Sequence, residues 1–213
     1  MSTPVKLPLF PLQIVVFPEE DLNLHIFEPR YRQLIEDTEV LGQNFGVPTV
    51  IDGRMLPIGT EVELVEISKR YPSGESDIMT KGRRLFRLED YQPKWGNKLY
   101  AAGDVSWLEP DMEEDPLVNH EIVLLTREIY DRLGVDREVS DPDEGFITYD
   151  IAHFVGMTRE LEYELLTLLD SHDRQQFLLA HLKDIRPRID ERIDIRAKAL
   201  LNGHFNHLSP PDF

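Results

Sequence analysis

The 213 residues carry 40 Asp and Glu against 23 Lys and Arg, a formal net charge of −17, with 41% hydrophobic residues and no cysteine. That field opposes sequence-independent nucleic-acid binding, and the missing thiols exclude disulfides, thiolate nucleophiles and cysteine zinc sites and favour a reducing compartment. No basic leader runs into an apolar stretch, and no apolar run approaches the ~20 residues that cross a bilayer, so a cytoplasmic, non-membrane protein with ample core is expected.

Pro8, Pro11 and Pro18 cut the first segment into short extended pieces, because proline lacks a ladder donor. Between them Ile14-Val15-Val16-Phe17 predicts a buried strand. Leu22, Leu24 and Ile26 then alternate with Asn23, His25 and Phe27, the period of a strand with one face on a core. Pro29 suits the first turn of a helix whose buried stripe is Tyr31, Leu34 and Ile35. Strands are expected at Phe45 to Ile51, from Glu61 towards Tyr71, from Ile78 to Leu88 and from Leu99 to Trp107, with turns at Asp52-Gly53 and Pro72-Ser73-Gly74.

The acidic stretch Glu109 to Asp115 reads as an extended linker. Beyond it Asp115-Pro116 caps a helix carrying Val118, Ile122, Leu125, Ile129 and Leu133 and stopped by Gly134. A charged turn follows to Gly145, then a short helix through Ile147, Ile151, Phe154 and Val155. Thr158 caps another with a seam of Leu161, Leu165, Leu168 and Leu169. Ser171 opens a long final helix in which Pro187 predicts a kink or break. The expected organisation is α+β: a β-barrel subdomain over 1–108, a helical bundle over 116–202 and a flexible tail over 203–213.

The strings Leu7-Pro8-Leu9, Val16-Phe17-Pro18, Leu22-x-Leu24 and above all His25-Ile26-Phe27-Glu28-Pro29-Arg30-Tyr31 resemble the start of the substrate-recognition domain of Lon-type ATP-dependent proteases, a domain that also stands alone in bacteria. Gly59-Thr60, Lys81-Gly82-Arg83-Arg84-Leu85-Phe86 and Tyr100-Ala101-Ala102 continue the likeness, which spans 7–201. The resemblance implies a PUA-like mixed barrel with one early helix and a module that engages unfolded or damaged polypeptide and passes it to an ATPase. Its partners would be unfolded chains or a full-length Lon-type protease, in an adaptor role in protein quality control. Within the signature, His25, Phe27, Glu28, Pro29, Arg30 and Tyr31 read as structural.

The machinery of the intact proteases has no counterpart in these residues. No GxxxxGK[ST] string exists to cradle nucleotide phosphates, and no serine sits in a context matching the serine-lysine proteolytic domain. The chain therefore reads as a non-enzyme without catalytic residues or cofactor. His120-Glu121 begins an HExxH pattern but Leu124 stands where the second histidine belongs; His204 and His207 lack a third ligand; Asp141, Asp143 and Glu144 before Gly145 miss the calcium-loop spacing. No metal is expected.

Lys81, Arg83, Arg84 and Arg87 read as a solvated strand face rather than a phosphate site. His25 and Glu28 read as scaffold rather than an acid/base pair. Polypeptide is expected to meet an apolar surface between barrel and helices, or an exposed strand edge. Its anchors would be Phe10, Met55 and Trp107 if these point outward, while Phe17 and Phe27 are expected inside. The alternatives are an unrelated enzyme or a nucleic-acid binder built on the same barrel.

Overall fold

A computed structural model describes residues 4–203. Six strands form one mixed sheet: β1 (Val5–Leu9), β2 (Asp21–Ile26), β3 (Phe45–Ile51), β4 (Arg54–Arg70), β5 (Ser76–Gln92) and β6 (Ala101–Leu108), in the order β2-β5-β4-β3-β1-β6. Only β1 and β3 run parallel; the other neighbours are antiparallel. Because β6 also pairs with β5, the ladder through β4, β3 and β1 returns on itself, while β2 lies outside that circuit, so the sheet is not a clean barrel.

Helix α1 (Pro29–Leu41) begins at Glu28 and stops at Gly42, whose φ of 61° is the left-handed conformation glycine adopts at little cost. Its buried stripe is the expected Tyr31, Leu34 and Ile35, packed with Phe10, Phe45, Val62 and Ile78. A second cluster joins Leu7, Leu9, Phe86, Ala101 and Val105. The hairpin turn Asp52-Gly53 has positive φ at both residues, as a two-residue connection between twisted strands requires.

Ile14-Val15-Val16-Phe17 is not a strand. Val15, Val16 and Phe17 are buried, but Phe17 O accepts from Glu20 N–H within a turn and two further backbone groups go to side chains. Phe17 N–H donates to the Glu20 carboxylate at 2.8 Å, and the Thr60 hydroxyl donates to Val16 O. With prolines on both flanks, a short apolar run is held by a turn instead of a ladder. Strand β5 also departs from simple alternation, since Leu85 and Phe86 are both fully buried beside register shifts in its ladders.

The C-terminal half contributes α2 (Pro116–Leu133), α3 (Arg159–Thr167) and α4 (Ser171–Gly203), with 3-10 turns at Pro142–Glu144 and Thr148–Phe154. Asp115 caps α2 by accepting from Leu117 N–H at 2.8 Å, Gly134 closes it, and Thr158 caps α3. Helix α4 runs through Pro187 without the expected break. The pair His204 and His207, and the tail beyond Gly203, lie outside the described residues.

The chain divides into two compact units. One holds the sheet, α1 and the linker to Glu113, and regains Tyr149–Arg174; the other holds Glu114–Thr148 and the chain from Gln175 onward. Residues 149–174 thus group with the sheet and not with the remainder of 116–202. In the first unit, fully buried Arg174 donates to the carbonyls of Leu168, Leu169 and Asp111, and its guanidinium lies 5.0 Å from the Tyr149 ring. In the second, Gln175 bonds Asn119 Oδ1 at 2.7 Å and Asp115 O at 2.8 Å.

Candidate functional site

Strand β4 outruns its neighbour. Strand β3 starts at Phe45, opposite Val62, so from Glu63 onward β4 is paired by β5 alone and its other edge meets no strand among the described residues. The end of α1 lies beside that edge. Together Thr38, Glu39 and Gln43 on one side and Glu63–Ile67 on the other enclose a groove of about 290 Å³. Three carboxylates and no cation line it. Thr38 Oγ1 and Gln43 Nε2, both in its wall, have no hydrogen-bond partner, an unusual state for buried polar atoms. Val65 in its lining is 57% exposed.

A second surface surrounds the signature string. His25 Nδ1 meets Asp77 Oδ1 at 2.6 Å, and Tyr71 donates to the other oxygen of Asp77 at 2.7 Å. These two bonds hold the Asp77 carboxyl below its ordinary pKa. Glu28 pairs with Arg30 at 2.8 Å and not with His25, so the imagined acid/base couple does not exist. Phe27 is 56% exposed, stacked on His25 at a centroid distance of 6.1 Å, contrary to the expected burial. Strand parity decides its side: it follows Asn23 and His25 outward while Ile26 goes in.

The expected anchors separate. Phe10 points inward, 6% exposed and stacked 3.8 Å from Tyr31, so it does not meet the condition set for a contact residue. Phe17 is buried against Tyr149. Met55 and Trp107 are half-buried, and the Arg84 guanidinium lies 3.7 Å over the Trp107 ring. The basic strand face is largely neutralised: Lys81 and Arg83 face Glu19, Arg83 also binds Glu63, and Arg84 binds Glu61 through two bonds.

Two constellations escaped the sequence. His153 Nδ1 lies 2.9 Å from Glu162 and its Nε2 3.2 Å from Glu20. Burial disfavours its charge, but the two carboxylates outweigh that and lift its pKa to about 9. Glu20 stands 133 positions away, so no local pattern announces the pair. The other is His120 beside Asp141 and Asp143, with ligand atoms within 4.8 Å of one another. His120 Nδ1 bonds Pro116 O, while Asp141 already caps the turn at Asp143 N–H and lies 3.8 Å from Arg127, which is what a solvated charged turn also shows.

The description "ATP-dependent protease La (LON) substrate-binding domain" fits residues 6–184 as a family model. Among solved structures, the chain is similar to a Lon N-terminal domain protein from Xanthomonas campestris, at 30% identity and TM-score 0.64, covering 83% of this chain and 98% of that one. The N-terminal domain of a Mycobacterium avium complex Lon protease shares the fold at 15% identity and TM-score 0.56, covering 84% and 99%. A comparison with curated proteins finds no match. No helix among the described residues is long and apolar enough to cross a membrane.

Proposed function

Since this chain belongs to the LON substrate-binding domain family, we propose that it is a non-catalytic module that grips unfolded or damaged polypeptide, an adaptor in cytoplasmic protein quality control that works with a full-length Lon-type protease. The observation that carries the reading is the extent of the match: the substrate-binding domain accounts for residues 6–184. In this reading the returning ladder is a PUA-like barrel with β2 appended, and the helices of the second unit form a bundle.

The surface chemistry supports it. Phe27, Val65 and Met79 are large apolar side chains left in water at 56%, 57% and 42%, on a molecule otherwise dense in charge. Met55 and Trp107 supply further half-buried apolar contacts. Open strand edges offer backbone donors and acceptors to an extended chain whatever its sequence, which suits a module that must accept many substrates.

Fluorescence anisotropy of a labelled, permanently unfolded model polypeptide with the intact chain tests the reading. Saturable binding without nucleotide is expected. Steady turnover of a defined compound by the purified chain, or no binding of unfolded polypeptide, overturns it.

A further inference from the structure

Resting on that reading, we propose that the groove between the end of α1 and the unpaired edge of β4 is the seat of the polypeptide, and that it selects extended segments carrying Lys or Arg beside apolar residues. The backbone argument comes first. From Glu63 to Ile67 the β3-side edge of β4 meets no strand, and an added strand supplies the missing N–H and C=O partners.

Charge then chooses among extended chains. Glu39, Glu63 and Glu66 line the groove and no cation does. Arg70 and Arg83 reach Glu39 and Glu63 from outside the lining, leaving the rim acidic at Glu66. The last turn of α1 holds no basic residue, so the negative end of its dipole and its terminal carbonyls are not countered by a cation of its own. A Lys or Arg of the incoming segment meets both fields. Its apolar side chains meet Val65, which is exposed in the lining. An acidic segment would meet like charge at Glu66 and at the negative end of the α1 dipole.

The test uses the intact chain and a short fluorescein-labelled peptide alternating lysine and valine, with two controls: aspartate in place of lysine, and N-methylation of alternate backbone amides. The lysine peptide is expected to bind, the aspartate peptide at least about tenfold more weakly, and one N-methylated register to lose most of the affinity because its donors to β4 are gone. Amide NMR shifts are expected at Glu63–Ile67 and at the Gln43 side-chain amide. Glu66→Lys, on an exposed position that leaves the fold intact, is expected to weaken the lysine peptide severalfold.

Shifts confined to the His25–Phe27 surface, indifference to both N-methylated registers, or unchanged affinity in Glu66→Lys overturns the groove. So does a dimer of the free chain that Glu66→Lys dissolves, which would make a second copy the occupant. If any of these occurs while the chain still captures the unfolded model polypeptide, the reading as a polypeptide-binding module stands without this seat. Failure to capture any unfolded polypeptide overturns both.

Discussion

A side-chain carbon on Gly82 would stand 2.1 Å from the carbonyl oxygen of Phe17. The two backbones touch because Gly82 N–H donates to Glu20 O at 2.8 Å and Glu19 N–H donates to Gly82 O at 3.0 Å, fastening the turn after Phe17 onto β5. Gly82→Ala must push the strand and the turn apart. A loss of about 2 to 3 kcal/mol is expected, the scale of overpacking against backbone, read as a lower urea midpoint. Unchanged stability would show that the turn yields freely.

Phe10 and Phe27 share a residue type and differ in fate. Phe10→Ala empties a stacked core position and is expected to cost about 3 to 5 kcal/mol, whereas Phe27→Ala, on a side chain more than half in water, stays within about 1 kcal/mol. Denaturant unfolding of both variants checks the contrast. Equal losses would contradict it.

His153 links stability to pH. Its pKa is raised from 6.5 to about 9 in the folded chain, so its contribution is complete below pH 6.5 and is lost as pH rises through 9. Wild type is expected to exceed His153→Gln by on the order of 2 kcal/mol at pH 6, with the gap closing by about pH 10. A gap that does not change with pH would mean the imidazole does not carry the charge.

Arg174 donates to three carbonyls while fully buried. Arg174→Met keeps the bulk and deletes the donors, leaving the carbonyls of Leu168, Leu169 and Asp111 to find others. A loss of about 3 kcal/mol is expected by thermal unfolding. Arg174→Lys, with a point charge that cannot fork, is expected to recover only part of it.

Features set by near neighbours were legible. The caps at Asp115 and Thr158, the stop at Gly134, the Asp52-Gly53 turn and the stripe of α1 each follow from a few adjacent residues, and the structure contains them as read. What failed was set at a distance. Ile14 to Phe17 has the composition of a strand, but whether a strand forms depends on a free ladder position, and here Thr60 and Glu20 take the backbone groups of Val16 and Phe17 instead. Residue type puts Phe27 inside, whereas the alternation of Leu22, Leu24 and Ile26 puts it outside, and the alternation wins. The groove had no local signal at all: β4 becomes an open edge only because β3 begins opposite Val62, a fact of register. His153 likewise waits for Glu20, far off in the chain.

The return of Tyr149–Arg174 to the sheet unit has a consequence for synthesis. A ribosome that has released every strand has not yet released His153, Glu162 or Arg174, so the sheet leaves the exit tunnel with Glu20 lacking its imidazole and Asp111 O lacking its guanidinium. Those contacts form only after the interposed stretch 114–148 has emerged as well. Nicking that stretch with a protease would therefore leave both units assembled from two fragments, rather than shedding one of them whole.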